Sequence, residues 1–261
     1  MTSIECAVRH EIEARLSAIE AEDGVRLLLA IESGSRAWGF PSPDSDYDVR
    51  FLYVRRRRDY LALSQVRDVI ERPIVDEIDL NGWDIRKALG LMLRNNSVLS
   101  EWVESPIHYR NAHPLIARMA ELIDRHFDPN GFALHYAKLG LTSVTRWLQD
   151  ESEVAVKRYF YALRPALAIR VLRRDPSRRP PMRLQRLMAK ADLSSSATEE
   201  IERLVAMKAA TREAGPIARV PEIDALIADE LVRAGEVPAR PPGEAFAAEA
   251  NALFLDLVEE E

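Results

Sequence analysis

Hydrophobic and polar residues follow two different periods along this chain of 261 residues. Over residues 3–21, apolar side chains recur every three or four positions, as they do on one face of an amphipathic helix. Runs rich in apolar and β-branched residues come next, and they predict strands at 25–31, 48–54, 68–70 and 74–80. The first part of the chain is therefore expected to combine an N-terminal helix with a small sheet.

From Asp84 onward the pattern takes the helical period. Asp84 is a suitable N-cap for a helix in "DIRKALGLMLRNN", and "SVLSEWVES" predicts another helix. Beyond about residue 111 no further strand is expected. Breaks at proline and glycine separate helices predicted near 114–126, 132–149, 152–174, 183–191, 197–213, 222–234 and 243–258. The fold class is expected to be α+β, with an α+β domain at 1–111 and an all-helical domain at 112–261.

Composition and charge indicate a globular protein, because 47% of the residues are apolar and the chain is long enough to bury a core. No apolar run approaches the roughly 20 residues of a membrane span. The N-terminus "MTSIECAVRHEIEARL" carries acids where a signal peptide would be basic and then apolar. We therefore expect a cytoplasmic protein with no membrane partner.

The net charge of −6 argues against a nucleic-acid-binding surface that covers the whole molecule. Local basic runs are nevertheless present, "RRRR" at 55–58 and "RRDPSRR" at 173–179. Either run could contact a polynucleotide backbone, although a solvated turn explains four arginines after a strand equally well.

The candidate chemistry lies in residues 32–54, "ESGSRAWGFPSPDSDYDVRFLYV". After the first predicted strand, Gly34 and Ser35 turn the chain into a short helical segment whose backbone N–H groups can bind a phosphate. Asp46 and Asp48 then open the next strand, where carboxylates are uncommon. Residues two apart on a strand point to the same side, so the pair concentrates negative charge and predicts a divalent cation such as Mg²⁺.

Other interpretations of the same residues were compared with this one. Gly34 and Gly39 have the spacing of a Walker A loop, but Phe40 and Pro41 stand where that loop has lysine and Ser/Thr. An EF-hand calcium loop is excluded because Val49 stands where the loop needs glycine. A polar turn before an edge strand is the remaining structural alternative.

Gly34-Ser35 followed by Asp46-x-Asp48 between apolar residues resembles the signature of the DNA polymerase beta nucleotidyltransferase superfamily. With "NSVLSEWVESPIHYR" at 96–110 and "KRYFYALRPAL" at 157–167, the chain is similar to the YcgL/RlaP-type branch of predicted nucleotidyltransferases, sometimes linked to RNA ligation and repair. The resemblance covers roughly residues 25–170. It implies a small mixed-sheet nucleotidyltransferase domain, like the palm of polymerase beta, followed by the helical domain.

The resemblance also implies roles for the signature residues. The turn at Gly34 and Ser35 would bind the triphosphate of an NTP, and Arg36 is a further candidate phosphate ligand. Asp46 and Asp48 would be catalytic and would hold Mg²⁺, or Mn²⁺ in its place.

A third catalytic and metal-binding carboxylate is implied on a later strand, within "IVDEIDL" at 74–80. Asp79 has the apolar–acid–apolar pattern of the family, because isoleucine precedes it and leucine follows it. Asp76 and Glu77 stay as alternatives at this point, since three acids lie within four residues.

A second candidate nucleotide-binding group lies in the helical region. Lys157, Tyr161 and Arg164 are separated by four and three residues, which places them on one face of the predicted helix. Similarity of "KRYFYALRPAL" to the family implies that this face contacts the triphosphate or the base. An ordinary solvated face is the structural alternative.

Together these features predict a Mg²⁺-dependent nucleotidyltransferase that moves NMP from an NTP to a hydroxyl by a two-metal mechanism, with an RNA end as the leading acceptor. A non-catalytic, antitoxin-like protein that binds a nucleotide or RNA is the alternative of another class. Nucleotidyl transfer to a small molecule is the third hypothesis.

Overall fold

The structure, a computed structural model, describes residues 4–147, 152–210 and 216–260, and it confirms the α+β class. The chain divides into two compact units. The first unit comprises Met1–Ala37, Asp46–His126 and Pro242–Glu261, and the second comprises Trp38–Ser45 and Phe127–Pro241.

The first unit contains the sheet. Its elements in chain order are α1 (Cys6–Asp23), β1 (Arg26–Glu32), α2 (Gly34–Trp38, which ends at the first residue of the second unit), β2 (Tyr47–Val54), α3 (Arg57–Tyr60), β3 (Val69–Glu71), β4 (Ile78–Asp84), α4 (Ile85–Leu93), α5 (Ser97–Val103), α6 (Pro114–His126) and α12 (Ala245–Glu259). Within the described ranges, four strands form a mixed sheet in the order β1-β2-β4-β3. The β2–β4 pair is parallel, and the other two pairs are antiparallel.

The core of the first unit lies between α1 and one face of the sheet. Ile12, Leu16 and Ile19 form the buried stripe of α1, and they cluster with Val49 and Phe51 of β2. Because side chains alternate along a strand, Arg50, which lies between those two β2 positions, belongs to the other face of the sheet. Asp48, two residues before Arg50, lies on that same face.

Strand β4 starts later than the sequence pattern predicts, at Ile78 rather than at residue 74. Asp76 and Glu77 adopt left-handed backbone conformations, with φ of 53° and 61°, which interrupt the extended chain. The Ile78 N–H donates to the Val75 carbonyl at 3.1 Å and closes this turn. Hydrophobic periodicity does not reveal such a turn, because it depends on backbone dihedrals rather than on polarity.

The second unit is mainly helical. Its elements are α7 (Pro129–Trp147), β5 (Glu153–Ala155), α8 (Val156–Arg174), α9 (Leu184–Ala191), α10 (Ser195–Ala210), β6 (Pro216–Ala218), α11 (Pro221–Val232) and a 3₁₀ turn (Arg233–Glu236). Helix α8 is the centre of its core, buried over most of its length and packed against α7, α9 and α11.

The expectation that no strand follows residue 111 is wrong. Strands β5 and β6 pair in an antiparallel ribbon, with Val154 opposite Ile217. Each strand has three residues, which is too short for an alternating pattern to be read from the sequence.

The division into units also differs from the predicted boundary after residue 111. Helix α12, from the end of the chain, packs on α4 and α6, so that these helices complete the first unit. Ion pairs connect α6 with α12, Arg118 to Asp256 at 2.8 Å and Arg125 to Glu249 at 2.6 Å. A local sequence pattern cannot show that a helix more than 100 residues away returns to the same unit.

In the described parts of the chain, no helix has both the length and the apolar character that crossing a membrane requires.

Candidate functional site

The glycine of the signature lies against the second aspartate. Gly34 has a φ of +56°, a left-handed conformation that favours glycine, and a Cβ added there would lie 1.8 Å from Asp48 Oδ2. The Ser33 N–H donates to the Asp48 carbonyl at 2.8 Å. The turn after β1 is therefore built directly onto Asp48, and only glycine fits at position 34.

Asp48 and Asp79 occupy paired positions on the parallel strands β2 and β4. A third residue, Arg50, joins them: its Nη2 donates to Asp48 Oδ1 at 3.0 Å and to Asp79 Oδ2 at 2.7 Å. Its Nη1 also donates to the Asp79 carbonyl at 3.0 Å. Two carboxylates from neighbouring strands thus share one guanidinium nitrogen.

Sequence reasoning missed Arg50, although one signal was available. Arg50 lies two positions after Asp48 on a strand, and so it belongs to the same face of the sheet. Like charges held together need a counter-ion, and the sequence analysis assigned that role to a metal alone. In the structure, a side chain of this chain neutralises the pair.

Asp46 lies directly before β2 and is exposed. Burial raises the pKa of Asp48 above the ordinary carboxyl value; Arg50 opposes this shift, while the charges of Asp79 and Asp46 add to it. The guanidinium of Arg36 also favours ionised Asp48. The five side chains therefore form one electrostatic cluster of three carboxylates and two guanidinium groups.

The structure separates the rival candidates for the third carboxylate. Asp76 and Glu77 lie in the turn that precedes β4, where Asp76 accepts from Arg15 Nη2 at 2.8 Å. Asp79 lies within β4 and is the acid of the three that shares Arg50 with Asp48.

A buried acid, Glu32, accepts a hydrogen bond from the backbone of Asp48. This residue was not identified from the sequence. Its carboxylate accepts the Asp48 N–H at 3.1 Å and the Tyr109 hydroxyl, and the side chain is fully buried. Burial raises the pKa of Glu32 to about 7, despite the opposing hydrogen bonds from Tyr109 and Asp48. An acid at the end of the apolar run "RLLLAIE" was the available sequence signal.

The string "NSVLSEWVESPIHYR" contributes to this support. Tyr109 supplies the hydroxyl just described, and Ser105 Oγ donates to the Glu32 carbonyl at 2.6 Å. Asn96 caps α5 by accepting from the Leu99 N–H at 2.9 Å. The family-like string therefore holds the end of β1 in place beside the signature.

Ser35 and Arg36 follow Gly34 in α2. Ser35 is half-buried. The Arg36 guanidinium lies 4.0 Å from the centroid of the Tyr47 ring, a cation–π contact. Tyr47 directly precedes Asp48 in the sequence. Both residues belong to the same unit as the three carboxylates.

Lys157, Tyr161 and Arg164 belong to the second unit, on α8. Arg164 is buried; its guanidinium lies 4.4 Å from the Trp38 ring, and its Nε donates to the Met182 carbonyl at 3.2 Å. Tyr161 is 42% exposed and meets the Trp38 ring edge to face at 5.9 Å. Lys157 is exposed. Their contact with a nucleotide stays a prediction.

The donor atoms of the cluster suit a hard divalent cation, since Mg²⁺ prefers carboxylate oxygens. Among the residues that the structure describes, no group of three or more His, Cys, Asp or Glu side chains is already arranged to hold a metal. Arg50 lies between Asp48 and Asp79 and pairs with both. The carboxylates of Asp46, Asp48 and Asp79 are the residues that would hold a divalent cation, and Arg50 would have to move for one to bind.

Comparison with known proteins gives three similarities. A family model described as RlaP, RNA repair pathway DNA polymerase beta family, matches residues 8–256. "Uncharacterized protein YcgL" of Bacillus subtilis (strain 168) is 38% identical over 255 residues, which cover 97% of each chain. A solved nucleotidyltransferase-like protein from Exiguobacterium sibiricum 255-15 aligns with 96% of this chain and 80% of its own, at 11% identity and a TM-score of 0.32.

Proposed function

This chain belongs to the RNA repair pathway DNA polymerase beta family, and from that premise we propose that it transfers NMP from an NTP to a hydroxyl at an RNA end. One observation carries the proposal. Asp48 and Asp79 are paired across β2 and β4, and Asp48 lies so close to Gly34 that no side chain fits at position 34. Such a site combines clustered carboxylates with a glycine turn that leads into a short helix, and nucleotidyl transfer uses groups of both kinds.

The proposed metal ligands are Asp46, Asp48 and Asp79, with Mg²⁺ or Mn²⁺ as the ion. When bound, the ions supply the Lewis-acid chemistry of two-metal transfer, neutralising the triphosphate and lowering the pKa of the attacking hydroxyl. Asp79, on the neighbouring strand, would orient the acceptor side of the reaction. Asp46 and Asp48 would orient the triphosphate side.

The turn residues would bind the phosphates. Gly34 lets the turn pack directly against Asp48, and the Ser35 hydroxyl that follows would donate to a terminal phosphate oxygen. Arg36, held beside Asp48, would add a charge-assisted hydrogen bond.

Arg50 has a double role in this proposal. Before nucleotide binding, its guanidinium neutralises Asp48 and Asp79. If cations were bound by those carboxylates, the Arg50 guanidinium would be free to donate to a phosphate oxygen with its planar fork. The proposed nucleotide contacts of Lys157, Tyr161 and Arg164 rest on the family-like string of α8 and on their common helix face.

The same arginine favours the second candidate function. Because Arg50 already pairs with both carboxylates, a group of this chain offsets part of their negative charge. A protein that binds a nucleotide or RNA for regulation, without turnover, could keep this arrangement.

The test is incubation of the purified protein with each α-labelled NTP, Mg²⁺ or Mn²⁺, and a pool of RNA. Transfer of label to RNA, abolished in Asp46→Asn/Asp48→Asn and retained in the control Glu121→Gln, supports the proposed enzyme. Glu121 is an exposed acid of α6, so the control removes one carboxylate away from the site. NTP binding without transfer to RNA, protein or small molecules would support the regulatory function instead.

A further inference from the structure

A cavity of about 890 Å³ lies in the first unit, away from the carboxylate cluster. It is lined by α3, by the segment that follows it and by α4, including Arg55, Tyr60, Arg67, Asp84, Arg86 and Arg94. Its volume falls in the range of roughly 300–1,000 Å³ that is typical of ligand sites.

The cavity and the carboxylate cluster lie toward opposite ends of the same two strands. Asp48 and Asp79 are paired near the start of β2 and β4, whereas Tyr53 and Asp84 are paired near the end. The two pairs are five residues apart on each strand, which is roughly 17 Å at about 3.3 Å per residue. Arg55 follows Val54, the last residue of β2, and so extends the cavity further from the carboxylates.

Positive charge is in excess in this cavity. Five lining residues are basic and three are acidic: Arg55, Arg67, Arg86, Lys87 and Arg94 against Asp59, Asp68 and Asp84. Lys87 is paired with Asp68 at 3.1 Å, and Arg67 is paired with Glu71. The remaining arginines carry the excess charge.

The remaining arginines differ in how they are paired. Arg55 is 13% exposed and pairs with Asp84 at 4.0 Å, while its Nε is buried with no hydrogen-bond partner among the described residues. Arg86 lies 4.7 Å from the Tyr60 ring and 5.2 Å from the Phe254 ring. Within the described ranges, neither Arg86 nor Arg94 forms a side-chain ion pair. Arg86, held against aromatic rings, and Arg94, at the C-terminal end of α4, therefore present guanidinium groups outside any side-chain ion pair of the described residues, and such groups favour a phosphate ligand.

The cavity also offers surface that suits a base. Leu63 and Val66 line it and are strongly exposed, at 107% and 48%. Unpaired bases stack on guanidinium planes, and Arg86 is exposed while its guanidinium is held against the Tyr60 ring. Arg56 and Arg57, exposed at the start of α3, extend the basic surface beyond the cavity.

We propose that this cavity binds the sugar-phosphate backbone of a single-stranded RNA whose end lies at the carboxylate cluster. That the ligand is RNA rests on the proposed function. That the cavity binds a phosphate group is inferred from its lining arginines, Arg55, Arg86 and Arg94. An RNA that reaches both sites must cover a separation of roughly 17 Å along the strands, and a dinucleotide is too short to do so.

The test compares a labelled single-stranded RNA of about 12 nucleotides with a dinucleotide. Arg86→Gln/Arg94→Gln is expected to weaken binding of the longer RNA by roughly tenfold at moderate salt, and to weaken binding of the dinucleotide by a smaller factor, because a dinucleotide offers fewer phosphates to the arginines. The slope of log affinity against log salt should fall by about 1.4 for two lost phosphate contacts. Arg86→Lys/Arg94→Lys, which keeps both charges, should restore most of the salt dependence.

Arg118→Gln/Arg125→Gln is the charge-matched control, because it removes two arginines from α6 outside the cavity. An equal loss of affinity in this control, or an equal loss for both RNA lengths, would overturn the proposal. Displacement of the longer RNA from the cavity by free ATP would assign the site to a nucleotide instead. All binding is repeated in the Asp46→Asn/Asp48→Asn background, so that a failure of NMP transfer cannot be mistaken for a failure of this site.

Discussion

Asp48 and Asp79 occupy paired positions on neighbouring parallel strands, and the guanidinium of Arg50 bridges their carboxylates. Carboxylates in contact repel each other unless a positive charge lies between them. Arg50 supplies that charge in the structure, and under the proposed function cations would take its place.

Arg50→Ala should therefore lower the free energy of unfolding by about 1–3 kcal/mol, because it leaves two partly buried carboxylates without a counter-ion. Mg²⁺ should raise the melting temperature of this variant more than that of the unmodified protein, since the ion then replaces the arginine. Differential scanning calorimetry with and without Mg²⁺ measures both effects. Equal Mg²⁺ shifts in the two proteins would contradict the competition between arginine and metal.

Gly34→Ala should disrupt the site through a direct clash. The new Cβ would lie 1.8 Å from Asp48 Oδ2, at a φ that alanine adopts with strain. We expect a loss of about 2 kcal/mol or more in stability, seen in urea unfolding, and loss of nucleotidyl transfer. Gly235→Ala is the matched control, because a Cβ there meets nothing within 4 Å. A stable, active Gly34→Ala protein would show that the turn does not need to approach Asp48.

Asp79→Asn should reduce NMP transfer by about 100-fold or more, while Asp76→Asn should leave it close to normal. Asp79 shares Arg50 with Asp48, whereas Asp76 pairs with Arg15 on α1. Steady-state transfer assays on the two variants separate the roles. If Asp76→Asn were the inactive variant, the third carboxylate would lie in the turn before β4.

Asp84 gives a pH dependence that is separate from the carboxylate cluster. Burial raises the pKa of Asp84 in the folded protein, although the Arg86 N–H and the Tyr60 hydroxyl donate to it. The folded state thus keeps a proton that the unfolded state loses near pH 4, so the unfolding free energy falls as pH rises above about 4.

Asp84→Asn removes this titration and keeps an oxygen that can cap α4. The variant should show a smaller difference in unfolding free energy between acidic and neutral pH, measured by urea unfolding at several pH values. The exposed acid Glu121, changed to Gln, should leave the dependence unaltered. An unchanged slope in Asp84→Asn would assign the pH dependence to other groups.

Local sequence patterns predicted most helices to within a few residues, as for the helix near 114–126, observed at Pro114–His126. They failed where the structure depends on residues distant in the chain. Whether Asp79 lies beside Asp48 depends on the register of β2 and β4, and the guanidinium of Arg50 needs the same register to reach both. The family resemblance supplied the three aspartates, but it carried no information about the arginine between them.

The buried Glu32 was missed for a related reason. An acid at the end of an apolar strand does not reveal its partner in the sequence, and that partner, Tyr109, lies 77 positions later. Strand β4 was misplaced because its start is set by two left-handed residues, Asp76 and Glu77, rather than by polarity. Backbone conformation and long-range pairing are the two kinds of information that hydrophobic periodicity does not contain.

The return of α12 to the first unit has a consequence during protein synthesis. A ribosome makes the chain from the N-terminus, so β1, β2 and β4 emerge long before Ala245–Glu259. The surfaces of α4 and α6 that α12 covers therefore stay exposed until Ala245–Glu259 has left the ribosome. Premature termination at any point before α12 would leave that surface open to chaperones, proteases or aggregation, even in a polypeptide that already contains every proposed catalytic residue.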